Sequence, residues 1–245
     1  MNSPVKSSPL TLLMSGGPSE TITRLKSFLV AGNQITLSQP GSDSGSVFEV
    51  IYCGVTLRLA VNPDVPDLVG LKQIFCNIDA ASLGCAMEIG LGDHVAGGER
   101  VPSIIQAVLG AGQKLGVSCG ASGAVWHPAG IVSGFDYFSE IVADYLAGGA
   151  FPVLAMVNFK AEDDGTIIST GLSLLSGQEL QVAAAELNQD EIMRRVVRVA
   201  HDVAINGPVY SPVKLAGIEP DEIVELDPSS DSGLLKMNTY FRPAA

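Results

Sequence analysis

Past a short, mostly polar tail to Pro9, the chain opens on a mainly apolar run over 11–15 that reads as a strand ended by Gly16-Gly17-Pro18. Ser19 is placed to cap a helix in which Ile22, Leu25, Phe28 and Leu29 recur on one face, and Gly32-Asn33 ends it. A second strand is expected over 34–38, and 41–46 is turn-rich. Residues 47–52 and 55–61 flank Cys53-Gly54, the spacing of a two-residue hairpin. In the latter run Val55, Leu57, Leu59 and Val61 alternate with Thr56, Arg58 and Ala60, which predicts one buried and one wet face.

Two prolines interrupt 62–67, and 68–81 fits neither period. A compact apolar strand follows over 85–91, then a loop over 92–98. Ile104, Ile105, Val108, Leu109 and Leu115 form a helical stripe over 103–115 that Gly116 is placed to close. A short extended segment, 124–126, precedes Pro128, and a helix over 136–146 would turn Phe138, Ile141, Val142 and Tyr145 inward.

The final third is the most legible. Runs at 153–160 and 166–172 flank Asp163-Asp164-Gly165, a strong hairpin signal, and 179–183 adds a strand. Asn188 with Glu191 forms a capping box before a helix carrying Ile192, Val196, Val199 and Val203, and Gly207-Pro208 ends that helix. Strands near 222–226 and 234–241 meet around an Asp-Ser-Gly turn. The predicted fold is α+β, with mostly antiparallel sheets covered by about four helices. Its expected division is a flexible tail over 1–9 and two related lobes over 10–116 and 117–245.

Composition narrows the function classes. A chain of 245 residues can bury an ample core, and no apolar run approaches the ~18 residues of a membrane span. The start lacks the basic-then-apolar pattern of a secretory signal, so a cytoplasmic protein is expected. The net charge of −12 opposes nucleic acid and anionic membrane, whose binding draws on Lys and Arg, and it suits a basic protein partner. Cys53, Cys76, Cys85 and Cys119 have no close pair, so they read as reduced thiols and not as zinc ligands.

Several groups of residues invite chemistry. Gly16-Gly17-Pro18-Ser19 offers a helix N-terminus to an anion, but the Walker lysine is absent and Pro18 removes a donor, which favours a plain turn. Cys119 or Ser122 beside His127 fits an activated nucleophile, although the Gly-x-Ser-x-Gly elbow is missing and the glycines at 116, 120, 123 and 130 also fit a tightly bent segment. Asp93, His94 and Glu99 fit either a metal site or a solvated loop, and His201 beside Asp202 reads as surface. Glu162, Asp163 and Asp164 crowd one hairpin. Glu219, Asp221, Glu222, Glu225, Asp227 and Asp231 follow one another without an intervening Lys or Arg, as solvated edges or as a docking face.

Gly123-Ala-Val-Trp126 ahead of a helix, Phe151-Pro-Val-Leu154, Thr170-Gly-Leu-Ser-Leu and Gly177-Gln-Glu-Leu-Gln-Val182 resemble an uncharacterised bacterial family, the one catalogued as domain of unknown function 4261. The resemblance spans 118–241, with Gly171-Leu172 and Glu179-Leu180 fitting its most regular phrase, and is looser before that. It implies no activity, cofactor or catalytic residue. The expected function is a non-enzymatic cytoplasmic protein-binding module, of the kind that serves as an immunity or chaperone-like partner of a bacterial toxin or effector. It would need no cofactor or metal, and would meet a basic partner through Glu219, Asp221, Glu222, Glu225 and Asp227. The alternatives are a hydrolase-like enzyme using Cys119 or Ser122 with His127, and a homo-oligomer joined through an exposed apolar strand.

Overall fold

A computed structural model describes residues 8–32, 34–39, 45–98, 100–183, 188–229 and 233–241. Most of the predicted tail and 41–44 of the turn-rich loop, with Asn33, Glu99 and Asp231, lie outside these residues. The fold is α+β, and the chain divides into two compact units, residues 1–150 and 151–245.

The first unit runs β1 (Leu10–Met14), α1 (Pro18–Val30), β2 (Ile35–Gln39), β3 (Val47–Tyr52), β4 (Val55–Asn62), β5 (Lys72–Ile74), β6 (Cys85–Leu91), α2 (Pro102–Cys119), β7 (Ala121–Trp126), β8 (Ile131–Gly134) and α3 (Phe135–Leu146). Its eight strands lie in the order β2-β3-β4-β6-β1-β7-β8-β5, and only the β5–β8 pair is parallel. Helix α2 crosses one face so closely that a Cβ on Gly112 would lie 2.4 Å from the Leu10 side chain. On the other face Leu13, Val125 and Val132 are roofed by Val65, Leu68, Leu71, Ile78 and Leu83 of the long β4–β6 connection. Central β1 is therefore buried on both sides, which is why its sequence shows no alternation.

Several expectations shift for local reasons. Pro18 takes the first helical position and Gly17 the cap, so α1 starts ahead of Ser19. Cys53 and Gly54 adopt φ of 50° and 77°, the left-handed pair that a two-residue hairpin demands. The wet face expected on β4 is reduced to Arg58, because Thr56 and Ala60 are buried too. The chain after β6 folds back over Thr56, whose carbonyl accepts from Gly92 N–H at 2.9 Å. Helix α2 runs through Gly116 and ends at Gly120, which takes φ 76°. Gly116 instead sits under the Phe135 ring, 2.1 Å from where a Cβ would be. A boundary at 116/117 would cut α2, and β7 pairs with β1 in the first sheet, so the first unit extends to Ala150.

The second unit runs α4 (Val153–Met156), β9 (Asn158–Ala161), β10 (Ile167–Thr170), α5 (Leu172–Ser176), β11 (Glu179–Val182), α6 (Gln189–Asn206), β12 (Val213–Ala216), β13 (Glu222–Pro228) and β14 (Leu234–Phe241). Its sheet order is β12-β13-β14-β11-β10-β9, with β11–β14 parallel and the other pairs antiparallel. The β9–β10 hairpin turns at Gly165, φ 81°. The strand expected over 153–160 begins as a helical turn packed on α6, and the one over 166–172 stops where Gly171, at φ 97°, opens α5. Asn188 and Glu191 form the predicted capping box, and Ile192, Val196, Val199 and Val203 are buried. The two sheets differ in strand number and order and lend no support to two related lobes. Among the described residues, four of the six α-helices, α1, α2, α3 and α6, have twelve or more residues, against the four or so expected.

Candidate functional site

The nucleophile candidates and the imidazole do not meet. Cys119 is the last residue of α2, at the Ala121 end of β7, while His127 follows Trp126 at the other end. Six strand residues separate the two positions, roughly 16 Å of extended chain. Ser122 is the extra residue of a bulge between β7 and β1, half-buried near the Cys119 end. Burial pushes the Cys119 thiol up to about 11, against the opposing pull of Arg24, so it is protonated near neutrality and a poor nucleophile. The Arg24 guanidinium is already engaged, donating to the Cys119 carbonyl at 3.1 Å and to Glu20 at 2.6 Å.

His127 belongs to another cluster. Its Nε2 lies 2.8 Å from the Thr11 hydroxyl, and its backbone N–H donates to the Pro9 carbonyl. The residue is exposed at the strand end, and partial desolvation of its ring lowers the imidazole pKa against the opposing charge of Glu88, which faces Thr11 across the β1–β6 pair. The Glu88 carboxylate accepts from Asn62 at 2.7 Å and Ser8 at 3.4 Å. A neutral imidazole beside a hydroxyl has base-and-nucleophile geometry, but Thr11 is 2% exposed inside a central strand, which leaves no room for a substrate. Strand parity places Thr11 and Glu88 on one face. Sequence reading missed their link to His127 because it depends on which strands are neighbours.

The remaining small motifs resolve into structure. The Gly16-Gly17 turn is overhung by Glu20, whose carboxylate oxygen is 2.8 Å from where a Gly16 Cβ would sit, so an anion there would meet a negative charge. Buried Cys85 faces the same turn, its thiol donating to the Gly16 carbonyl at 3.2 Å, and burial raises its pKa. His94 bonds the Thr56 hydroxyl at 2.8 Å. Among the described residues no group of three or more His, Cys, Asp or Glu is gathered to hold a metal. His201 is partly exposed on α6, with Nδ1 3.6 Å from Asp202.

Two members of the acidic segment, Glu222 and Glu225, are engaged by their own unit. Glu222, expected at a partner surface, is turned inward, because it shares strand parity with buried Val224 and Leu226. It forms a buried ion pair with Arg195, and its Oε2 accepts from the backbone N–H of Ile218 at 2.7 Å and of Glu219 at 2.9 Å. Burial alone would raise this carboxyl, but the hydrogen bonds from Arg195, Glu219 and Ile218 together with the Arg195 charge hold it below its ordinary value. Glu225 lies 3.4 Å from Lys214 on β12, and Asp227 stands opposite Lys236 on β14. Glu219, Asp221 and Asp227 are exposed, with Asp221 at φ 61°.

Glu179 and the Gly171-Leu172 phrase form a carboxylate hub. Glu179 accepts from Ser169 Oγ at 2.5 Å and from the backbone N–H groups of Gly171, Leu172 and Ser173 at 2.8, 3.2 and 3.0 Å. Gly171, in the left-handed region, turns those amides toward one point, and Glu179 satisfies the start of α5. The phrase is thus accounted for by local folding.

A different feature lies between α2 and α3. With Gly116 beneath Phe135 the helices approach closely, and Gly120 and Ala121 line a depression beyond that contact, with the Arg24 guanidinium 2.7 Å from where a Gly120 Cβ would sit. The result is a groove of about 490 Å³, with Val117 on one side and Asp136, Ser139, Glu140 and Ala143 on the other. Val117 is 60% exposed, and Ser139 accepts from Gln113 at 3.2 Å. Among the described residues, Asp136 and Glu140 have neither an ion-pair nor a hydrogen-bond partner.

No protein-family model, no curated protein and no solved structure matches this chain. No helix among the described residues is long and apolar enough to cross a membrane.

Proposed function

We propose that this chain is a non-enzymatic protein-binding module whose partner carries basic residues. The observation that carries the reading is the separation of Cys119 and Ser122 from His127 along β7, which leaves the hydrolase alternative without a working set. The elevated Cys119 thiol weakens that candidate further, and the enclosure of Thr11 removes the hydroxyl that does meet His127. The net charge of −12 and the exposed Glu219, Asp221 and Asp227 support a basic partner, while Glu222 and Glu225 drop out of the recognition set because each already holds a cation. An immunity or chaperone-like role toward a toxin or effector in the cytoplasm is the setting this reading proposes.

The test is capture from lysate of the source cell at low and moderate salt, with the chain and its Glu219→Lys/Asp221→Asn variant. Asn is chosen at 221 because it tolerates left-handed backbone. Partners retained by the chain, released by salt and lost by the variant are expected. An equally folded variant that captures the same partners would remove this corner from recognition, and turnover of an activated ester that vanishes in His127→Ala would contradict the non-enzymatic reading.

A further inference from the structure

We infer that the groove between α2 and α3 takes a basic, aliphatic segment of a partner protein, with a Lys or Arg of that segment set between Asp136 and Glu140. The inference rests on the binding reading above but on different residues, in the first unit. Asp136 and Glu140 stand one turn apart on α3, a spacing at which like charges repel by roughly 0.2–0.5 kcal/mol. The position of Asp136 in the first turn of α3 has a structural use, since the helix N-terminus favours negative charge. Glu140 has no such reason. A cation between the two carboxylates would relieve their repulsion and supply the ion-pair partner that both lack.

The rest of the groove suits the carbon of such a segment. Its floor is the backbone of Gly116 and Gly120 with Ala121 and the Phe135 ring, and Val117 stands exposed at its edge. A volume of about 490 Å³ accepts one or two side chains but not a folded domain, so the occupant is an anchor residue and its neighbour. Long basic side chains bury their stems on apolar surface while the charged head meets carboxylate, which is the arrangement this groove offers.

The test is a ¹⁵N NMR titration of the full chain with the peptide acetyl-Leu-Arg-Ala-Leu-Arg-Ala-amide and its counterpart with citrulline, the neutral isostere, at both arginine positions. The arginine peptide should move the amides of Val117, Gly120, Ser139 and Glu140, and Asp136→Asn/Glu140→Gln should weaken it by about tenfold or more. Citrulline binding as tight as arginine, shifts confined to residues 219–227, or no groove shifts at about 2 mM peptide would each overturn the inference. If the peptide fails while lysate partners are still lost in Glu219→Lys/Asp221→Asn, the groove falls and the binding reading stands.

Discussion

Glu222 and Glu225 of the acidic stretch and the two carboxylates of α3 make opposite use of the same chemical group. In the stretch, Glu222 is enclosed with Arg195 and two backbone amides and Glu225 is held by Lys214, while Glu219, Asp221 and Asp227 stay exposed. On α3, Asp136 and Glu140 border a groove and none of the described residues answers their charge. Density of carboxylates in sequence is therefore a poor guide to which of them are available. Availability depends on what the neighbouring strands and helices supply, and β12 and α6 supply cations where the segment itself has none.

The comparison breaks first at the buried pair. Arg195→Ala should cost roughly 3–5 kcal/mol in equilibrium unfolding, because it leaves the Glu222 carboxylate enclosed without its cation. The same loss should depend on pH. The native Glu222 pKa lies below its ordinary 4.5, so the stabilisation is fully present above that value and drains away as pH falls through the lowered native one. Denaturant melts at pH 7 and pH 3 should therefore show a smaller difference between Arg195→Ala and the parent chain at the lower pH.

The groove can be sharpened from its floor. Gly116→Ala places a methyl 2.1 Å from the Phe135 ring, and overpacking of this kind costs roughly 1–3 kcal/mol. The helices must part to admit it, so the amides of Gly120 and Ser139 should shift in the NMR spectrum of the variant. A variant with unchanged stability and spectrum would show that the α2–α3 approach is looser than described.

What the sequence revealed and what it hid follow from range. Cys53-Gly54, Gly165 and the Asn188–Glu191 box are local devices whose geometry is decided within four residues, and all three stand in the fold. The burial of Glu222 was also within reach. The alternation that sends Val224 and Leu226 inward sends Glu222 with them, and a buried carboxylate then requires a cation such as Arg195 on the covering helix. Other features needed the tertiary fold. The three-residue β5 is a strand only because β8 lies parallel to it. The helical turn at Val153–Met156 replaces an apolar strand signal through contact with α6. The groove brings Gly120 and Ala121 opposite residues some twenty positions later on α3, a pattern with no signature in one dimension.

The most direct measurement of the central contrast is paired chemical denaturation at pH 7 of Glu222→Gln and Glu140→Gln. Each removes one negative charge and keeps the side-chain shape. The engaged carboxylate should register as a loss of several kcal/mol, since a neutral amide leaves Arg195 buried without its counter-charge. The unpartnered one should register as no loss, or a gain of a few tenths of a kcal/mol from relieved repulsion with Asp136. A neutral Glu222→Gln, or a Glu140→Gln loss above about 1 kcal/mol, would contradict the account, because typical unperturbed surface changes stay within about 0.5 kcal/mol.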